Sequence, residues 1–89
     1  MQVSYDVAAR ATYVELHHGE VDHTVEISDL VMVDVDEFGA ALGVEFLVTP
    51  ADITPDMLEA AVDRFHELKP LRDPDTWLQP GMPRRVSVV

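Results

Sequence analysis

Five stretches of the chain alternate apolar and polar residues one by one, the two-residue period of a strand with one buried face. They run over residues 3–5, 12–17, 21–27, 31–36 and 42–48. Turn residues separate them closely, which predicts hairpins. A sixth stretch changes period. In "ITPDMLEAAVDRFHELKP" the apolar residues Leu58, Ala61, Val62, Phe65 and Leu68 recur at helical spacing, forming one stripe of an amphipathic helix. Thr54 is a good N-cap, Pro55 stands where a missing N–H is harmless, and Asp56 complements the helix dipole. These signals predict a helix over residues 55–68, ended by Pro70.

The second and third stretches also predict a register. If Gly19-Glu20 forms a two-residue II′ turn with glycine first, Leu16 faces His23, Val14 faces Val25 and Thr12 faces Ile27 on a buried side. The other side then pairs His17 with Asp22, Glu15 with Thr24 and Tyr13 with Glu26. Turn chemistry and hydrophobic pattern agree, which is what fixes a register. A loop at Ser28-Asp29-Leu30 puts Val31, Val33 and Val35 on the same buried side and sends Met32, Asp34 and Asp36 outward. Gly39 supplies a positive φ. Burying Leu42, Val44 and Phe46 with these valines requires an even-length loop or a bulge.

The helical stripe needs a surface to cover, and the apolar sheet face is the obvious one. The predicted fold is α+β: an antiparallel β-meander of about five strands with one C-terminal helix on its apolar face, in two layers. Residues 1–69 make one domain and residues 70–89 a Pro-rich tail, with Trp77 as its anchor if it docks. Residues 86–89 either add an edge strand or stay mobile.

Composition narrows the function classes. With 47% hydrophobic and 26% charged residues in 89 positions, this is the make-up of a folded domain with a modest core. No apolar run approaches the ~20 residues of a membrane helix. The opening "MQVSYDVAAR" lacks the charged and apolar regions of a signal peptide, so a cytoplasmic location is the expectation. There is no cysteine, hence no disulfide, thiolate ligand or cysteine nucleophile.

Charge is the strongest global signal, with 17 acids against 6 Lys and Arg and a formal net of −11. Before residue 64 the sole Lys or Arg is Arg10. Such a surface repels phosphate backbones. It attracts a cation or a basic protein.

Three stretches carry a family likeness: "YDVAARATYVEL" at the start, the central acidic hairpin "VEISDLVMVDVDEFG", and the closing strand "ALGVEFL". In order and spacing they resemble the bacterial domain-of-unknown-function family 2283, the YuzE-like small proteins, over residues 1–48. Arg10 stands where that family usually has an aspartate, Leu30 where it often has a glycine, and Phe38 where a polar turn residue is common. The resemblance implies a small β-rich fold and no settled activity. Some relatives are encoded beside small toxin-like proteins, so it also implies, by analogy, an antitoxin-type partner role.

Two clusters carry possible chemistry. In "VELHHGEVDHTVEI" a metal site would need three or four converging ligands. The predicted register supplies two, His17 and Asp22, and turns His18 and His23 to the other side, so the reading is a surface hydrogen bond, with His17 and Asp22 as weak metal candidates. The second cluster is the outward face, where Glu15, Glu26, Asp34, Asp36 and Glu45 project together with Tyr13, Met32 and Leu47. Acids on neighbouring strands repel by a few tenths of a kcal/mol each, so this face is either simply solvated or waiting for something positive. "DVDEFGAALGVE" lacks EF-hand spacing, and no nucleophile elbow, P-loop, dinucleotide fingerprint or zinc-protease motif occurs. Asp34 and Asp36 share a face, as pairs in ordinary sheets do, and Ser4, Ser28 and Ser87 have no histidine close in sequence that would activate them.

The expectation is a non-catalytic interaction module without cofactor, acting as a homodimer or as the binder of a small basic protein. Its binding residues would be Tyr13, Glu15, Glu26, Met32, Asp34, Glu45 and Leu47. The alternative is a divalent-cation or small-ligand binder using the same acidic face. Arg84 and Arg85 offer a further option, a basic tail that plugs the acidic sheet of its own or a neighbouring subunit.

Overall fold

A computed structural model describes residues 1–73 and Trp77. Its strands are β1 (Gln2–Asp6), β2 (Ala11–Glu15), β3 (His23–Ser28), β4 (Val31–Val35) and β5 (Ala41–Phe46), followed by a 3-10 turn (Pro50–Asp52), helix α1 (Pro55–Arg64) and a 3-10 helix (His66–Arg72). The strands form one antiparallel sheet in the order β1-β2-β5-β4-β3. Fold class and element types are those the period changes predict.

The neighbours of β2 and β3 differ from the predicted meander. They do not form a hairpin; β5 and β4 lie between them. β3, β4 and β5 are joined in sequence, and β2 returns to lie beside β5, which is a Greek-key arrangement. The cause is burial. Five of the six residues of β5 are buried, on both faces of the sheet, so β5 needs a strand on each side. In β3 only Val25 and Ile27 reach even partial burial, which suits an edge.

Residues 16–22 therefore make a crossing and not a two-residue turn. Leu16 and His17 both donate their backbone N–H to the carbonyl of Leu42, at 2.8 and 3.0 Å, and Asp22 N–H donates to that of Val35 at 2.8 Å. Gly19 serves close approach instead of turning: a Cβ there would come within 3.0 Å of the Leu42 side chain. The positive φ falls at Gly39, at 82°, as predicted, and also at Arg10, at 53°, a left-handed conformation uncommon for a side chain of this size.

The predicted pairs change while their faces do not. Val14 lies opposite Val44, Thr12 opposite Phe46, Tyr13 opposite Glu45 and Glu15 opposite Gly43. A two-residue period sorts side chains to the two faces whatever strand comes to lie alongside. On the core face, Val3, Val14, Val44, Val33 and Val25 consequently form one row across all five strands. Thr12, fully buried among them, donates its hydroxyl to the Val48 carbonyl at 2.8 Å. The β4–β5 register shifts beside Asp34, so a bulge is present as the pattern requires, but Ala41 and not Leu42 stands opposite Val35 in the core, and Leu42, the extra residue, is buried against Gly19.

Helix α1 starts as predicted, with Met57 N–H donating to the Thr54 hydroxyl at 3.2 Å and Pro55 at the first position. It stops at Arg64 and not at residue 68, because Phe65 is extended and the chain continues as a 3-10 helix through Pro70. A proline cannot take its place in an α-helix without losing a hydrogen bond and striking the carbonyl of residue 66. The tighter coil aligns Leu68 and Leu71, both buried. It also lets the Glu67 carboxylate accept the Ala41 N–H at 3.0 Å, and it is tied to α1 by a two-pronged Arg72 to Glu59 contact at 2.7 and 2.9 Å. Trp77 is buried, and its indole N–H donates to the Leu71 carbonyl at 3.0 Å. Residues 86–89, Arg84 and Arg85 lie outside the described residues. Among the described residues no helix is long and apolar enough to cross a membrane.

Strand order can be checked by mutation. Val44→Ala at the centre of the valine row should cost about 2 kcal/mol in urea unfolding, and Val25→Ala at the edge clearly less. Equal costs, or the reverse ranking, would contradict the order.

Candidate functional site

The face turned away from the core carries two cross-strand rows. One reads Ser4, Tyr13, Glu45, Met32, Glu26 and the other Gln2, Glu15, Gly43, Asp34, Thr24, each running from β1 to β3. Glu45 thus stands between Tyr13 and Met32, and Met32 between Glu45 and Glu26. Six of the predicted binding residues share these adjacent rows. Leu47 follows the end of β5, its N–H donating to the Leu30 carbonyl at 2.8 Å, and so lies at the margin. Asp36 is not a face acid: its carboxylate accepts the N–H groups of Phe38 and Ala40, both at 2.9 Å, and closes the β4–β5 turn.

At the centre, one glycine decides the geometry. A Cβ on Gly43 would fall 2.2 Å from the Tyr13 hydroxyl, so the ring lies over the bare backbone of β5. From there the hydroxyl reaches past β5 and donates to Asp34 Oδ2 on β4 at 3.0 Å. Thr24 on β3 donates to Asp34 Oδ1 at 2.6 Å. The Tyr13 hydroxyl is pushed above the ordinary tyrosine range, first by burial, then by its hydrogen bond to Asp34 and by the negative charges of Asp34, Glu15 and Glu45. The network links β2, β4 and β3 across the top of β5.

Among the described residues Glu15, on the same face, pairs only with exposed His18, at 3.7 Å. Among the described residues no Lys or Arg pairs with Glu26, Asp34 or Glu45. The His17 to Asp22 pairing is replaced, since Asp22 Oδ2 lies 2.7 Å from His23 Nδ1 and the crossing separates it from His17. Among the described residues no group of three or more His, Asp or Glu is arranged to hold a metal ion. A groove of about 320 Å³ opens at the sheet end between the crossing and the β4–β5 turn, lined by Glu20, Val21, Asp22, Asp36, Glu37 and Phe38.

A family model described as a protein of unknown function, DUF2283, matches residues 2–48, more than half of the chain. The chain belongs to this family. The DUF2283 segment takes in all five strands and ends before the 3-10 turn, so the face, its tyrosine network and the crossing lie within it. No curated protein and no solved structure matches the chain.

Sequence reasoning missed Gly43 and Thr24 because both depend on which strands are neighbours. A glycine inside a strand pattern is itself a mark of close approach by another group, and "ALGVEFL" displays one.

Gly43→Ala should destabilise by about 1 to 2 kcal/mol by displacing Tyr13 from Asp34. In a Tyr13→Ala background the same change should be neutral or stabilising, since alanine suits a strand better than glycine; an additive cycle would refute the contact. Raising pH supplies a second check. Because the folded tyrosine titrates above its unfolded value, stability should be constant below about pH 10 and fall as the unfolded form alone ionises. Tyr13→Phe should reduce that alkaline loss, as measured by urea midpoints on either side of pH 10.

Proposed function

We propose that the protein is a non-catalytic interaction module whose outer sheet face receives a basic protein partner. The observation that carries this reading is the row Tyr13, Glu45, Met32, Glu26, in which half-buried apolar side chains alternate with carboxylates that no lysine or arginine of the described residues neutralises. An aromatic and a methionine give a partner apolar area to cover. The unpaired acids give it a sign, favouring lysine or arginine and speeding encounter. The tyrosine network supports the reading from below. It holds Asp34 and the Tyr13 ring in fixed positions before any partner arrives, which lowers the ordering cost of association.

The divalent-cation reading has less support. Both oxygens of Asp34 already accept from hydroxyl groups, which leaves Glu45 and Glu26 as the available ligands in the adjacent row, separated there by Met32. A hard cation wants six or more oxygens.

The test is a titration of the isotope-labelled protein with a short amphipathic peptide rich in arginine, followed by backbone amide shifts. Shifts should centre on Tyr13, Met32 and Glu45, weaken with added salt, and require about tenfold more peptide after Glu45→Lys. Shifts centred instead on Glu20, Asp36 and Phe38 would move the partner site to the end groove and refute the face.

A further inference from the structure

We infer that the open edge of β3 is a self-pairing surface, at which two copies of the chain join antiparallel into a ten-stranded sheet. Among the described residues β3 is one of two edges of the sheet, and β3 alone holds no buried residue. At β1 the core-facing Val3 is buried, at 9% exposed, and Tyr5 is half-buried with its hydroxyl buried, while Met1 and Val7 beside the strand are 39% and 67% exposed. At β3 the core-facing Val25 and Ile27 are only half-buried, with Val21 and Leu30 at either end 46% and 43% exposed. The outward backbone N–H and C=O groups of such a strand are a template for another strand. No proline or lysine guards it between residues 21 and 30.

Side-chain charge selects the register in which a second copy fits. In an antiparallel pairing about a twofold axis normal to the sheet, opposed residues must lie on the same face, so only even offsets are allowed. Centring on Glu26 opposes that acid to its own copy. Centring on Thr24 opposes Glu26 to Asp22 twice. Centring on Val25 opposes Val25 to itself, Thr24 to Glu26 and His23 to Ile27, and no acid meets an acid directly. Centring on Ile27 also keeps acids apart but sets the axis on the register shift between Glu26 and Ser28, so on the regular part of the strand a second copy fits with Val25 on the axis. The register shift between Glu26 and Ser28 ends the regular part of the strand and limits the length of the pairing. The joined sheet places two outer faces side by side, doubling the surface proposed above. The pairing itself needs no basic partner, so each reading can fail alone.

The net charge of −11 on each copy opposes association over the Debye length, so the dimer should tighten as salt is added, the opposite of the basic peptide. Sedimentation equilibrium of the full chain from micromolar to millimolar concentration should give a mass rising to that of two chains, at lower concentration in higher salt. The absence of cysteine allows the register to be read directly. Val25→Cys, on the axis, should form a covalent dimer under mild oxidation, whereas Glu26→Cys and Ser4→Cys should not. Two residues at position 26 would stand beyond the roughly 7 Å that a disulfide spans. A single-chain mass throughout the range, or a dimer bridged through Glu26→Cys or Ser4→Cys and not Val25→Cys, would overturn the inference. Peptide binding at the outer face would survive either result.

Discussion

The structure depends on β5 having a strand on each side. Val44 and Phe46 drive one of its faces into the core, and Gly43 on the other face is covered by the ring of Tyr13. A strand buried on both faces cannot be an edge without exposing apolar surface or unpaired backbone. β1 and β2 are therefore drawn to one flank of β5 while the continuous run of β3 and β4 occupies the other. The valine row on the core side and the acidic rows on the outer side both follow from that placement, because each is assembled from strands that only β5 brings together.

Element types, the face each side chain takes, the helix N-terminus and the positive φ of Gly39 were all legible in the residues, since each is fixed within a few positions of chain. Neighbourhood was not. "LHHGEVDH" reads as a hairpin turn because glycine beside an acid is good turn chemistry, yet the energy that decides pairing is held by Leu42, Val44 and Phe46, more than twenty residues further on. The helix end was misjudged for a related reason. Leu68 continues the helical stripe by spacing, but Pro70 and the bond from Ala41 to Glu67 reward a tighter coil there. Of the outer face, four of the five acids were readable, Asp36 closing a turn instead, and their arrangement was not, so the link from Tyr13 through Asp34 to Thr24 appears only once β4 and β2 flank β5.

Three residues singled out along the chain, Arg10, Leu30 and Phe38, all fall at turns. Arg10 takes the left-handed conformation in the β1–β2 turn, Leu30 sits in the β3–β4 turn, and Phe38, 86% exposed, sits in the β4–β5 turn. A glycine or an aspartate would adopt the backbone of Arg10 at lower cost than arginine does.

The crossing of residues 16–22 has a consequence for how the chain is made. Synthesis runs from the N-terminus, so β1 and β2 leave the ribosome as an isolated pair whose natural neighbour does not yet exist. Two-stranded pairs are marginal in water. Val14 has no lasting cover until Ala41–Phe46 has emerged and slid in beside it. The last of the five described strands to be translated is thus the one that locks the first two, and a chain released ahead of it would hold two separate pairs with four edges and no keystone.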